Sequence, residues 1–274
     1  MPMTRRIHKR DKLMAPGTET SHGGVGIRKA SVDTIDALLF RLGHFMELAE
    51  ADKQQLRESV MREARVDRGK DVICENERPD YVHIVTDGWA CRYKYLADGR
   101  RAILGYLIPG DVCDVHIALL DHMDHAVSTL TPTTFALIPR ETVNHIFENN
   151  TSLAYALFWA SLVEESVQRE WFVNNTGRPA EKRLAHLLCE MQMRHRAAGL
   201  TRDNCIDFPL TQQDLADAMG ITVVHTNRVM QKLRSEGLIT YDNRQLTIND
   251  WEAMKEFGDF DPGYMHLSEE TLNL

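Results

Sequence analysis

The chain has 274 residues, 40 of them acidic and 32 basic, for a formal net charge of −8. At roughly 100–200 residues per domain this length allows one large or two modest domains. A content of 43% hydrophobic and 26% charged residues excludes a collagen, a disordered acidic chain and a disulfide mini-protein. The acidic balance also weighs against a nucleic-acid partner, because phosphate binding needs lysine and arginine, so the charge has to be divided along the chain. The cysteines Cys74, Cys91, Cys113, Cys189 and Cys205 form no C-x-x-C pair and give no zinc-ribbon, ferredoxin or thioredoxin signal. A reducing, cytoplasmic setting is expected. The first thirty residues lack the apolar run of a signal peptide. The longest apolar stretch, Leu153 to Val163, is too short to cross a bilayer, so no membrane partner is expected.

Residues 1–30 carry seven basic and two acidic side chains without hydrophobic periodicity, which predicts a flexible basic arm. From Ser31 to about Ala64 the apolar positions Ile35, Leu38, Leu39, Leu42, Leu48, Leu56 and Val60 recur at helical spacing, predicting one or two short helices. Between Arg65 and Arg140 the texture changes to short β-prone runs: VIC, YVHIV, WACRYKYL, RAILGYL, AVSTL and TFALIP. Turn signals separate them, and Gly88, Gly99 and Gly110 lie eleven residues apart, the cadence of an antiparallel β-roll.

A short helix is expected at Glu141–Asn149 and a longer one from about Thr151 to Val173. In the latter, Leu153, Leu157, Ala160, Glu164, Val167 and Trp171 fall at steps of 4, 3, 4, 3 and 4, the heptad spacing of a two-helix seam. Glu164 interrupts that seam, which leaves packing of the helix on the chain's own β-roll as the alternative. Asn174-Asn175-Thr176-Gly177-Arg178-Pro179 is expected to break the helix and mark a domain boundary. The next helix carries Leu184, Leu187, Leu188 and Met191 on one face.

The most informative stretch is 210–241. Thr211 is placed to cap a helix, with Asp214 three residues on in the manner of a capping box. Gly220 permits a left-handed turn. Thr222 then caps a second helix reaching about Glu236. On a helical wheel His225, Thr226, Val229 and Leu233 fall on one face, and Val223, Val224, Asn227, Arg228 and Gln231 on the other. Arginine pairs bidentately with guanine and asparagine with adenine, while valine methyls contact the thymine methyl. Arg228, Lys232 and Arg234 bring positive charge, and no acidic residue occurs from Thr222 to Ser235. Leu238–Tyr241 and Gln245–Ile248, joined by Asp242-Asn243-Arg244, read as a hairpin wing.

With these motifs the chain resembles the Crp/Fnr family of bacterial transcription regulators from about Ser31 to Asp250. The resemblance rests on YVHIVTDGWACRYKYLADGRRAILGYLIPGD, on the long helix ending NNTGRPAEKRLAHLL, and on 210–248. It implies an α+β chain divided into a flexible basic arm at 1–30, a cyclic-nucleotide-binding-like sensor β-roll at 31–150, a dimerisation helix at 151–176 with Leu153, Leu157, Ala160, Val167 and Trp171 in its seam, a winged helix-turn-helix DNA-binding domain at 177–250, and an acidic C-terminal tail at 251–274. It further implies a homodimer on a two-fold-symmetric double-stranded DNA operator, with RNA polymerase as a further partner and no enzymatic activity. Thr211 and Gln212 would approach phosphate, and Thr222, Val223, Val224, Asn227 and Arg228 would face base edges, with Gln231, Lys232 and Arg244 completing the DNA-binding set. Val224 stands where the family frequently has glutamate, so the family's usual operator is not carried over.

The cyclic-AMP-binding members grip the ribose with Gly-Glu and the phosphate with Arg-Ser or Arg-Thr. Here Asp114-Val115 and His125-Ala126 stand in those places, so no cyclic-AMP response is expected. The family's iron–sulfur sensors need an N-terminal cysteine cluster, and this chain has no cysteine before Cys74. No cofactor is predicted. One alternative is a metal- or haem-responsive regulator using Cys113, His116, His122 and His125, although their spacing matches no metal motif. A cupin-type enzyme would need an H-x-H pair, which is absent. A β-roll interaction module that never touches DNA would leave the winged helix unexplained. The acidity sits mainly in the sensor, with 13 basic against 20 acidic residues, and in the tail, with one against six. Segment 177–250 carries ten basic and nine acidic residues, which is compatible with DNA binding through specific contacts.

Overall fold

A computed structural model of the chain describes residues 25–28, 34–201 and 204–272. Most of the expected basic arm lies outside these residues. Its end, Val25–Arg28 (β1), is not a free arm but a strand paired antiparallel with Arg62–Val66 (β2). Two helices lie between them, Asp36–Gly43 (α1) and Glu50–Ser59 (α2), and bury Leu38, Leu39, Leu42 and Leu56.

The six β-prone runs become Asp71–Ile73 (β3), Tyr81–Asp87 (β4), Ala90–Tyr95 (β5), Arg101–Leu107 (β6), Ala126–Thr129 (β7) and Thr133–Pro139 (β8). Together with β1 and β2 they form two antiparallel sheets, ordered β1-β2-β8-β4 and β3-β7-β5-β6. At Gly88, whose φ is +81°, a Cβ would run into the backbone of Pro132 and Thr133, so the turn requires glycine twice over.

The second sheet is buried on both faces, and period-2 alternation sorts its side chains. Ala90, Leu107 and Val127 enter the core between the sheets with Val85, Phe135 and Leu137. Cys91, Tyr106 and Ala126 point the other way, into a second core shared with Trp171, Leu188, Phe208 and Leu215. The sensor sheet thereby forms one wall of the C-terminal core.

Helix Arg140–Asn149 (α3) leads into Thr151–Gly177 (α4), whose N-cap Asn150 accepts from Leu153 N–H at 3.0 Å. Contrary to expectation α4 continues through Asn174 and Asn175. Their side-chain amides donate to Arg183 O and Ala218 O, each at 3.1 Å, and so tie the helix to the C-terminal domain. The helix stops only where Pro179 forces Arg178 into an extended conformation, ψ 145°.

The heptad face of α4 is turned into the chain itself. Leu153, Leu157, Val167 and Trp171 are buried within the chain and Ala160 is half-buried against the β-roll. The interruption at Glu164 reflects this, since Glu164 pairs with Arg92 of β5. The stripe left outside is Tyr155, Phe158, Leu162, Glu165, Arg169, Phe172 and Thr176, at steps of 3, 4, 3, 4, 3 and 4.

Helix Ala180–Ala197 (α5) is buried along nearly its whole length. After it come Cys205–Asp207 (β9), Gln212–Met219 (α6), Val223–Ser235 (α7), Ile239–Asp242 (β10) and Gln245–Ile248 (β11). The acidic tail is folded: Trp251–Gly258 (α8) packs on α5, and a short turn with Glu269–Leu272 (α9) comes after it. Met254, Phe260 and Met265 are buried, an apolar pattern that the charge of the segment concealed. Among the described residues no helix is long and apolar enough to cross a membrane.

Candidate nucleic-acid interface

Thr211 and Asp214 form the expected capping box: the Thr211 hydroxyl accepts from Asp214 N–H at 3.1 Å, and Asp214 accepts from Thr211 N–H at 3.0 Å. Gly220 then turns the chain at φ +64°, and Thr222 caps α7 by accepting from His225 N–H at 3.2 Å. Leu215, Ala216 and Met219 of α6 are buried, as are Thr226, Val229, Met230 and Leu233 of α7. This pins the rotation of α7 about its axis and leaves Val223, Val224, Arg228 and Gln231 exposed, with Asn227 half-buried beside them. Val224, at 72% exposure, is too open to be a core valine.

Beside this face β10 and β11 pair in the register Asp242↔Gln245, and β9 adds a third strand. The hairpin tip places Asn243 and Arg244 at φ +48° and +62°. Both central residues positive is the turn that matches strand twist. Asparagine tolerates it well, whereas at Arg244 it is a strained backbone that throws the side chain outward at the tip.

A groove of about 370 Å³ lies between α7, the lead into α6 and the wing, lined in part by Thr211, Gln212, Asn227, Gln231, Arg234 and Arg244. No carboxylate lines it. Arg228, Arg234 and Arg244 make no ion pair among the described residues, while many other arginines of this acidic protein do. Uncompensated guanidiniums beside exposed amides and methyls form a surface suited to phosphates and base edges.

Lys232 does not belong to that surface. Its ammonium pairs with Glu181 of α5 at 2.5 Å and lies 5.7 Å from the Phe257 ring. Nine residues after Val223, at 100° each, it stands about 180° away from it. Arg234, eleven residues after, returns to within about 20° of Val223, and this placement on the reading face was legible in the wheel. Thr211 is half-buried and committed to its cap, with Gln212 half-buried next to it.

In the sensor, Asp114, which stands in one of the nucleotide-binding places, and the neighbouring Arg92 are engaged by the protein itself. Asp114 is buried and accepts from His83 N–H at 2.7 Å and pairs with its Nδ1 at 2.8 Å. Arg92 donates to Cys113 O at 3.2 Å and Val112 O at 2.9 Å, besides pairing with Glu164. Burial would raise the Glu164 carboxyl, but Arg92, Arg194 and Arg41 together outweigh it and hold it at about 2. The four metal candidates are not brought together. Cys113 is fully buried with its thiol pushed far up by burial, His122 is exposed, and the His116 and His125 rings lie 5.8 Å apart with both Nε2 atoms buried and without hydrogen bonds. Among the described residues no three His, Cys, Asp or Glu side chains are grouped to hold a metal ion.

Comparison with known proteins agrees with this arrangement. Residues 63–150 match the cyclic nucleotide-binding domain and residues 182–257 the Crp-like helix-turn-helix domain. The chain is 25% identical over 241 residues to the transcriptional activator protein FnrL of Cereibacter sphaeroides, covering 84% of this chain and 96% of that protein. It is 26% identical over 202 residues to the nitrogen fixation regulation protein FixK of Bradyrhizobium diazoefficiens, covering 73% of this chain and 84% of that one. The structure of FixK2 from Bradyrhizobium japonicum superposes with a TM-score of 0.66 at 22% identity, over 71% of this chain and 96% of that one, which shows a shared fold. A β-roll whose sheet walls the core of a capped, winged helix-turn-helix, matched domain by domain in this way, places the chain in the Crp/Fnr family of transcription regulators.

Proposed function

We propose that the protein is a homodimeric, sequence-specific DNA-binding regulator that reads a two-fold-symmetric operator without cyclic AMP and acts on RNA polymerase in the cytoplasm. The observation that carries the reading is the α7 face, where Val223, Val224, Asn227, Arg228 and Gln231 share one side and Arg234 joins them beside Arg244 of the wing. Arg228 and Asn227 supply guanine- and adenine-reading groups, and Val223 and Val224 supply methyl contacts for thymine. Capping at Thr211 and Thr222 fixes this face before DNA arrives, so little ordering cost falls on binding.

Dimerisation is supported by the outward heptad of α4. Tyr155, Phe158, Leu162 and Phe172 are 64, 58, 39 and 70% exposed, a stripe of large apolar side chains that a second copy would cover. Midway, Glu165 and Arg169 occupy seam positions as an exposed pair at 2.9 Å. Exchanged between parallel copies, that pair fixes register. Independence from cyclic AMP is supported by the filled sensor: Asp114 is tied to His83, and Arg92 to Glu164 on α4.

The test is selection of bound duplexes from a randomised pool, followed by gel shift with and without cyclic AMP. A two-fold-symmetric consensus bound equally in both conditions is the expected result. Binding that appears only with the nucleotide refutes the sensor reading, and failure to enrich any sequence refutes the regulator reading.

A further inference from the structure

The groove beside the recognition helix has a wall that does not come from the winged helix. Arg68, in the turn between β2 and β3 of the sensor, lines it together with Gln231, Arg234 and Arg244. Arg68 is exposed and makes no ion pair among the described residues, although the chain as a whole is acidic.

The turn that carries it is held. The Thr129 hydroxyl donates to Asp67 O at 2.6 Å, Gly69 N–H donates to Thr129 O at 2.9 Å, and Thr129 N–H donates to Lys70 O at 3.0 Å. Gly69 takes φ +73°, which closes the turn without strain.

The sensor and the reader are in turn locked to each other. Arg101 of β6 donates to Asp214 at 2.6 Å and to Asp217 at 2.8 Å, gripping α6 at its first turns. The Tyr106 hydroxyl donates to Asp214 O at 3.0 Å. Trp89 packs edge-on to Phe208, another groove residue, at 5.9 Å. An arginine held between two carboxylates fixes orientation as well as distance, so Arg68 keeps a defined place beside α7.

We propose that the DNA-binding surface of this protein extends onto the sensor domain, where Arg68 contacts a backbone phosphate next to the bases read by α7, and that Arg101 is a positioning residue for this contact. The inference rests on the DNA-binding reading given above and goes beyond it, because it makes the docked arrangement of sensor and reader the binding-competent one. A phosphate contact carries no base information, so Arg68 contributes affinity and salt dependence without sequence preference.

The test is fluorescence anisotropy of the full chain on a mixed-sequence DNA duplex over a range of salt concentrations, with a randomised pool to rank preferences. Arg68→Ala is expected to weaken binding on the order of fivefold, to make the slope of log affinity against log salt shallower by about 0.9 for each phosphate that is no longer neutralised, and to leave the ranking of sequences unchanged. Arg100→Ala, which removes the same charge from an exposed arginine paired with Asp98 on a separate hairpin, is expected to leave slope and affinity as they were. In an Arg101→Gln background the effect of Arg68→Ala should shrink, because the turn is no longer held over the groove. Arg68→Ala with the wild-type slope overturns the proposal while leaving the DNA-binding reading intact, and tighter binding by Arg68→Ala shows that the turn obstructs DNA and overturns it too. A wild-type protein that binds no duplex overturns the reading and the proposal together.

Discussion

Arg228 shows how far a single side chain can be read. It sits exposed on α7, has no acidic partner among the described residues, and lies on the same face as Asn227 and Gln231. If it pairs with one guanine, Arg228→Ala should cost about 1–3 kcal/mol of operator affinity and relax preference at one base pair in each half-site. Gel shifts against a set of single-base operator variants check this, and unchanged discrimination at every position would remove Arg228 from the reading set. Lys232 has the same charge and is not separable from Arg228 by composition, but its position on the helix commits it to Glu181.

Histidine chemistry at the same scale predicts a pH response. His195 is 3% exposed and packs at a tilt with its ring 5.1 Å from that of Trp89, and burial lowers its pKa to about 4; His186, among Phe260 and Tyr264, is likewise lowered by burial to about 4. In the unfolded chain both take up a proton near pH ~6.5. Between that pH and about 4 the unfolded state therefore binds more protons, so stability should fall as the pH is lowered, by about 1.4 kcal/mol per pH unit for each histidine. Denaturant titrations across that window measure it, and His195→Phe should flatten the slope by up to half. A slope indifferent to this substitution contradicts a neutral, buried His195.

At the scale of elements, α4 carries a periodicity that the sequence displays and a partner that it does not. Two heptad rows run along this helix, and a sequence cannot say which one is left for a second copy in the proposed dimer. The row Leu153, Leu157, Val167 and Trp171 is taken up by the chain's own two cores. Leu162→Glu, on the outward row, should therefore turn a dimer into a monomer in sedimentation velocity while leaving the thermal unfolding of the monomer little changed. Leu157→Glu should instead unfold the protein, because it buries an unpaired charge. Equal behaviour of the two variants would contradict this assignment of faces. The turns are easier to read, since Gly88, Gly99 and Gly110 announce them by chemistry that is local to each turn. Gly88→Ala meets both a positive φ and a crowded backbone, and is expected to destabilise by roughly 1–3 kcal/mol in chemical denaturation.

Across the whole molecule the decisive group is Asp111. It is 3% exposed just beyond the end of β6, pairs with Arg41 of α1 and with Arg194 of α5 at 2.7 Å, and accepts from Ile108 N–H at 2.7 Å. One carboxylate thus joins the helical lead-in, the sensor and the first helix of the reader. Asp111→Ala would take their hydrogen-bonded anion from two largely buried guanidiniums, leaving Arg194 only the longer pairing with Glu190 at 3.7 Å, and a loss on the order of 3–5 kcal/mol is expected by chemical denaturation. A change below about 1 kcal/mol would mean that water replaces the carboxylate and that the three parts are held mainly by apolar packing.

Sequence by itself determined the features whose causes lie within a few residues: the turn glycines, the caps at Thr211 and Thr222, the alternating strands, the apolar and polar faces of α7, and hence the two domain types. Tertiary structure alone decided which row of α4 faces outward, that Lys232 is spent on Glu181, that the acidic tail is folded through Met254, Phe260 and Met265, and that Arg68 reaches the reader's groove. The division has one physical reason. Caps, turns and periodicity are set by backbone geometry and neighbouring side chains, whereas the partner of a face or a charge is whichever distant group the folded chain brings within reach.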